Sequence, residues 1–261
     1  METLWREPMT TILVETSGPV MTVTLNRPEK RNALDSGMLK AIKEAFDAPP
    51  GPGVRVAVIR ARGQGFCSGL DLREITEGGG TRGAPSVEEA FHSVQEYPLP
   101  VVAVVQGDAI AGGNELALHC DLVVASKRAR FGMSLAQIGL APPWELSCKL
   151  LEVGGPVAAR EVLFLGDPLP AERMHALGII SFIAEPGDLE AVAQKVIDRL
   201  AANAPISLRT IKATLLRGMS YRQEIPHADI NGLVAAARRS ADAQEGITAR
   251  LERRTAVFRG E

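Results

Sequence analysis

Between Val54 and Ser126, short apolar runs alternate with helical stretches at close spacing: VRVAVIRA (54–61), VEEAFHSVQEY (87–97), VVAVVQG (101–107), NELALHC (114–120) and DLVVAS (121–126). Buried strands joined through helices are the pattern of a parallel sheet, because parallel neighbours need a crossover connection. That restricts the chain to an α/β architecture. In the first run Val54, Val56 and Val58 share one strand face. Ahead of it, residues 11–25 hold two β-rich runs around Ser17-Gly18-Pro19, a hairpin signal. DSGMLKAIKEAFD (35–47) starts on an Asp cap and spaces Leu39, Ile42 and Phe46 as one helix face. PVAAREVLFLG (156–166) and PAERMHALG (170–178) are two further helices, and GIISFIAE (178–185) is a last strand. From Asp188 the chain reads helical over 188–203, 205–217 and 220 to about 254. The expected organisation is an α/β core over 1–200 and a helical region over 201–261. EGGGTRGAP (77–85) is expected to be a mobile loop.

Composition excludes several functions. The 261 residues suffice for a large core. Aromatics are only 4%, too few for a base-stacking platform, and the net charge of -2 gives no pull toward nucleic acid or an anionic membrane. Three cysteines without CxxC spacing argue against a disulfide framework or zinc site, so no metal is expected. Cys67 and Cys120, in apolar contexts, should behave as small hydrophobes. The start, METLWREPMTT, lacks a signal-peptide pattern and no apolar run is long enough to span a bilayer. A cytoplasmic location is expected.

Two glycine-rich turns follow strands. ARGQGFCSGLDL (61–72) is neither a Walker loop nor a dinucleotide fingerprint, since its spacing is GxGxxxG. AGGNE (111–115) opens a helix whose first amides lack intrahelical partners. If the turns face one another, each can give one N–H to a single oxygen. Glu115 would then stand beside a carbon next to a polarised carbonyl, where a carboxylate can move a proton. The plain alternative is a first-turn acid facing water.

LNRPEKRNALD (25–35), GFCSGLDL (65–72), PVVAVVQGDAIAGGNELALHCDLVVAS (100–126) and ARFGMSLAQIGLAP (129–142) together resemble the crotonase superfamily of enoyl-CoA hydratases and isomerases. The resemblance runs in order from about residue 10 to the C-terminus. It implies a spiral of repeated ββα units with a C-terminal helical trimerisation region, assembled as a homotrimer or as a hexamer of two trimers. The implied substrate is an acyl-CoA thioester. Coenzyme A is then part of the substrate, and no cofactor is expected. The amides of Leu70 and Gly112 match the oxyanion-hole donors, and Glu115 matches the first of two catalytic glutamates. Arg27, Lys30, Arg31, Ala33, Ser68, Leu70, Asp71, Leu72 and Gly113 match the substrate- and CoA-binding segments, the three basic residues lying nearest the CoA phosphates.

The sequence also departs from that pattern. Leu135 occupies the position of the second glutamate, and a leucine can neither activate water nor donate a proton. Trp144 would narrow the acyl pocket. Glu145 is a candidate replacement acid from another backbone position, or a first-turn helix acid. His119, four residues after Glu115, reads as a hydrogen-bonded core histidine. The basic terminal RLERRTAVFRGE reads as a solvated face, or as a reach toward a neighbour's CoA. The leading expectation is an enoyl-CoA hydratase, adding water syn to a 2-enoyl-CoA. The alternatives are a single-base isomerase or decarboxylase, and a non-catalytic CoA-binding trimer.

Overall fold

Ile12–Ser17 (β1) and Val20–Leu25 (β2), the latter with alternating buried residues, pair antiparallel across the turn at Gly18, whose φ of 55° suits glycine. The computed structural model describes residues 10–77, 83–222 and 224–261. The expected loop at 77–85 therefore lies largely outside the described residues, as does most of the N-terminal stretch. From β2 the sheet continues in parallel through Val56–Ala61 (β3), Val101–Val105 (β4), Leu122–Ser126 (β6) and Phe182–Ala184 (β9). A second sheet joins Ala109–Ile110 (β5), Arg130–Gly132 (β7) and Leu169–Pro170 (β8). Two later ββα turns of the chain give one strand to each sheet: β4, β5 and helix Gly112–Leu118 (α4), then β6, β7 and helix Trp144–Arg160 (α5). This is the arrangement of ββα units that the resemblance implies.

The parallel strands are apolar on both faces because helices cover both. Ala57 and Ile59 of β3 join Ile42 and Phe46 of Ser36–Asp47 (α1) and Phe91 of Val87–Glu96 (α3). Val56 and Val58 pack on the other side against Ala193 and Ile197 of Leu189–Ala202 (α7). Val54 precedes the strand and joins the first of these cores, so the expected Val54/Val56/Val58 face holds only for the last two. Asp35 caps α1 by accepting from the Met38 amide, and Ser86 and Glu89 form a reciprocal capping box on α3.

Leu72–Glu77 (α2) and Ala171–Ala176 (α6) are short. The expected helix over 156–166 belongs to α5, kinked where Gly155 (φ 70°) precedes Pro156, and ends in a wider π turn over 161–165. The stretch from 220 to 254, expected as one helix, is two: Ala228–Arg239 (α9) and Ala241–Glu252 (α10). Pro226 bars an earlier start, and extended Ser240 separates them while accepting from the Ala243 amide as the cap of α10. Pro205–Met219 (α8) docks through buried Lys212, which donates to Asp121 at 2.7 Å and to the Leu99 carbonyl at 3.2 Å. Among the described residues no helix is long and apolar enough to cross a membrane.

Candidate active site

Three loop segments run side by side at the carboxyl ends of β2, β3 and β4. The Leu34 amide donates to the Gly69 carbonyl at 2.8 Å, and the Asp71 amide to the Leu34 carbonyl at 2.9 Å. Backbone groups alternate in direction along an extended chain, so the Leu70 amide points away from Leu34. On that other side the Ile110 amide donates to the Cys67 carbonyl at 2.9 Å, and the Phe66 and Cys67 amides donate to the Asp108 carbonyl. Leu70 N–H is thereby turned toward the segment 110–112.

That segment approaches closely. A Cβ placed on Gly69 would lie 3.2 Å from the Gly112 nitrogen and 3.0 Å from the Ile110 carbonyl oxygen. Gly69 holds φ at 90°, which glycine alone adopts readily. Gly112 is the first residue of α4, where the helix supplies its amide with no acceptor. The backbone around Gly69 and Leu70 thus lies against that of 110–112, with the Gly112 amide free of an intrahelical acceptor.

Glu115 lies on the first turn of α4, and only 4% of the residue is exposed. Its Oε1 has no hydrogen-bond partner among the described residues, and neither polar atom of buried Asn114 has one. Burial, with a smaller contribution from the Glu88 charge, raises the Glu115 carboxyl well above 4.5. The plain reading of a water-facing acid is thereby removed. A buried carboxyl with a raised pKa can take up and return a proton.

Leu135 is half-buried and packs against the core, presenting hydrocarbon. The Trp144 ring stacks on His227, with centroids 5.0 Å apart and planes 6° from parallel. Glu145 is half exposed, its Oε1 3.5 Å from His227 Nε2. Trp144, Glu145, His119 and Glu88 all border a cavity of about 1280 Å³ between α3, the end of α4, α5 and α8.

The basic residues divide. Arg27 is mostly buried and its guanidinium is engaged by Asp35 at 3.0 Å, Asp71 at 3.1 Å and the Ala33 carbonyl at 2.5 Å. It therefore welds the 27–35 loop to Asp71 and holds no exposed charge for a phosphate. Lys30 is exposed, and Arg31 is exposed at 3.8 Å from Asp108. The Ser68 amide donates to the Arg31 carbonyl at 3.1 Å, so Ser68 and Arg31 do meet. Leu72 begins α2 directly after Asp71. Gly113 is compulsory, because a Cβ there would fall 2.2 Å from the Cys67 carbonyl oxygen. In the terminal segment Arg254 pairs with Glu245 and Glu252. Among the described residues no cluster of His, Cys and carboxylates could hold a metal ion.

Two organising residues escaped the sequence reading. Asn32, fully buried at φ 53°, accepts from the Arg27 amide and donates to the Arg62 and Gly65 carbonyls. Gln106 donates to the carbonyls of Ala61, Gly63 and Gly65. Each gathers loop carbonyls that are distant in sequence, so only the folded loops reveal the role.

Known proteins agree with this architecture. Residues 15–261 match the family model described as enoyl-CoA hydratase/isomerase. A putative enoyl-CoA hydratase of Thermus thermophilus is 38% identical over 250 residues, covering 92% of this chain and 98% of that one. An enoyl-CoA hydratase structure from Mycobacterium avium subsp. paratuberculosis superposes with a TM-score of 0.85 at 30% identity, covering 97% of this chain and 100% of that one. A methylmalonyl-CoA decarboxylase in complex with 2-nitronate-propionyl-CoA superposes at 0.86 with 25% identity, covering 96% of this chain and 99% of that one. The chain belongs to the enoyl-CoA hydratase/isomerase family, within the crotonase superfamily.

Proposed function

We propose that the protein binds an acyl-CoA thioester, holds its carbonyl oxygen on the Leu70 and Gly112 amides, and uses Glu115 as the acid/base of an enolate reaction. The observation that carries this reading is the approach of Gly69 to the Gly112 amide, three residues ahead of a buried carboxyl with a raised pKa. Lys30, Arg31 and Ser68 are the exposed-side groups offered to coenzyme A, with Arg27 and Asp71 holding their loops in place. The leading activity is hydration of a 2-enoyl-CoA, the activity named for the Thermus relative. In that reaction Glu115 takes a proton from the water as its oxygen adds at the β-carbon, and returns that proton to the α-carbon of the enolate.

Leu135 favours a second reading, single-base isomerisation or decarboxylation, and the similarity to a methylmalonyl-CoA decarboxylase supports it. Both readings pass through the same enolate. Incubation with crotonyl-CoA, following loss of the enone thioester absorbance, measures hydration. Deuterium uptake at the α-carbon of a saturated acyl-CoA measures proton abstraction alone. Absence of both absorbance loss and deuterium uptake would refute the enolate reading.

We further propose a homotrimer, alone or paired into a hexamer. Exposed Ile206, Ile211, Leu215 and Leu233 on α8 and α9, with Val257 and Phe258 beyond α10, are apolar side chains that a neighbouring copy would cover. Light scattering at micromolar concentration tests this, and a monomer there would refute it.

A further inference from the structure

One turn beyond Glu115, about 5.4 Å along the axis, His119 closes α4 with its imidazole buried and tilted against the Phe91 ring, centroids 5.5 Å apart. Its Nδ1 lies 2.8 Å from the Glu115 carbonyl oxygen. A carbonyl has no hydrogen to give, so Nδ1 carries the ring's N–H and Nε2 is left as a bare acceptor. Burial, then the Lys149 ammonium, push the ring's pKa down to about 3, which keeps it neutral. Nε2 has no hydrogen-bond partner among the described residues, and the residue borders the large cavity. Lys149 borders the same cavity with its side chain only 11% exposed, and its Nζ lies 3.2 Å from Glu152. An ammonium has three hydrogens, and Glu152 takes one.

We propose that His119 and Lys149 form a subsite for a hydroxyl group on the distal part of the acyl chain. The inference rests on the acyl-CoA reading and names a substrate class within it. A hydroxyl is at once donor and acceptor, so it satisfies Nε2 with its hydrogen and Lys149 with its oxygen. An alkyl chain would strip both groups of water and return nothing. A carboxylate would meet the Nε2 lone pair with no hydrogen to give it. An ammonium would meet Lys149. His119 lies one turn of α4 away from Glu115, so a hydroxyl held there is distinct from any β-hydroxyl that hydration creates.

The test uses four CoA thioesters of one length: hex-2-enoyl, 6-hydroxyhex-2-enoyl, 6-aminohex-2-enoyl and hex-2-enedioyl. The readout is kcat/KM for enone consumption, and α-proton exchange with the saturated analogues. The hydroxylated thioester should lead the alkyl one by about tenfold, the value of one well-made hydrogen bond. His119→Leu and Lys149→Met should each erase that lead, through KM rather than kcat. His119→Gln should retain part of it, since its amide can donate to the Glu115 carbonyl and still offer an oxygen to the cavity. Equal or better turnover of the alkyl, amino or dicarboxylic thioester by the unmodified protein would overturn the proposal. So would a hydroxyl preference that survives both His119→Leu and Lys149→Met. If none of the thioesters is bound, consumed or exchanged, the acyl-CoA reading itself fails and the subsite falls with it.

Discussion

Ala111 turns its methyl against Gly69: a Cβ on Gly69 would stand 2.9 Å from the Ala111 Cβ. Ala111 itself sits at φ 48°, ψ −119°, a backbone state that an L-residue reaches only under strain. Its amide is held there by the Gly132 carbonyl at 2.7 Å. Ala111→Gly should therefore stabilise the fold by about 1 kcal/mol, the low end of such strain, as read from denaturant melts. Gly69→Ala should destabilise it and abolish turnover, because the added methyl strikes Ala111 and the Ile110 carbonyl. A Gly69→Ala protein of wild-type activity would contradict the close approach of these two segments.

Gly112 and Gly113 should separate activity from folding. A Cβ at Gly112 would meet the Leu34 Cδ1 at 3.1 Å, the end of a side chain that can shift. A Cβ at Gly113 would meet the Cys67 carbonyl oxygen at 2.2 Å, which cannot. Gly112→Val should fold yet lose most of its activity, since the side chain crowds the amide offered to the thioester. Gly113→Ala should lower the melting temperature sharply. Circular dichroism and turnover on both variants check the contrast; equal damage to both properties in the two proteins would undo it.

Glu115 should leave opposite marks on stability and rate. Its raised pKa means that the folded state favours the neutral acid. Stability linked to this group is full below the unfolded value of 4.5 and is lost as pH rises through the folded value. Glu115→Gln should therefore gain on the wild type as pH rises. Its turnover should fall by roughly 10²–10⁴, the usual contribution of a positioned acid or base. In the wild type, α-proton exchange should climb as pH rises through the folded value and the carboxylate forms. Near-normal turnover by Glu115→Gln would remove Glu115 from the chemistry.

His119 runs the other way. Its pKa falls from 6.5 to about 3 on folding, so its stabilisation is complete above 6.5 and is lost as pH drops from there toward 3. The stability difference between wild type and His119→Leu should shrink over that interval, measured by urea melts at stepped pH. A difference constant with pH would mean that the folded ring titrates like the unfolded one.

Leu135→Glu should restore a second carboxylate near the site and raise hydration of crotonyl-CoA relative to α-proton exchange. Half-burial should raise the pKa of the new group, so the gain should grow above neutral pH. The substitution should cost about 1–3 kcal/mol for a polar group set in an apolar surround. Fast hydration by the unmodified protein, indifferent to Glu145→Gln, would show that Glu115 alone suffices.

Local signals carried much of this architecture. The hairpin, the Asp35 cap, the buried strands and α4 follow from turn residues, caps and apolar periodicity. The break within 220–254 did not, because Ser240 reads as an ordinary helix residue until its extended backbone is seen. The site divides along the same line. Glu115 and the two glycine turns are local features, and their motif spacing marks them. The engagement of Arg27 by Asp35 and Asp71 depends on loops brought together by the sheet, so its sequence suggested a free phosphate ligand instead. The cavity face of His119 likewise exists only once α5 has packed beside α4.

Lys212 gives the helical region a hold on the sheet's own beginnings. Asp121, which it pairs at 2.7 Å, also accepts the Val101 amide at 2.7 Å, and its other acceptor is the Leu99 carbonyl. Val101 of β4, Asp121 just ahead of β6 and the middle of α8 therefore share one charge network, in which Lys212 is buried and Asp121 reaches the surface. Removing the chain after residue 200 would leave a carboxylate and a carbonyl without their cation at the edge of the core. Sheet and tail should accordingly melt as one cooperative unit, and a protease cutting between α7 and α8 should loosen β4 and β6 rather than release an independent fragment.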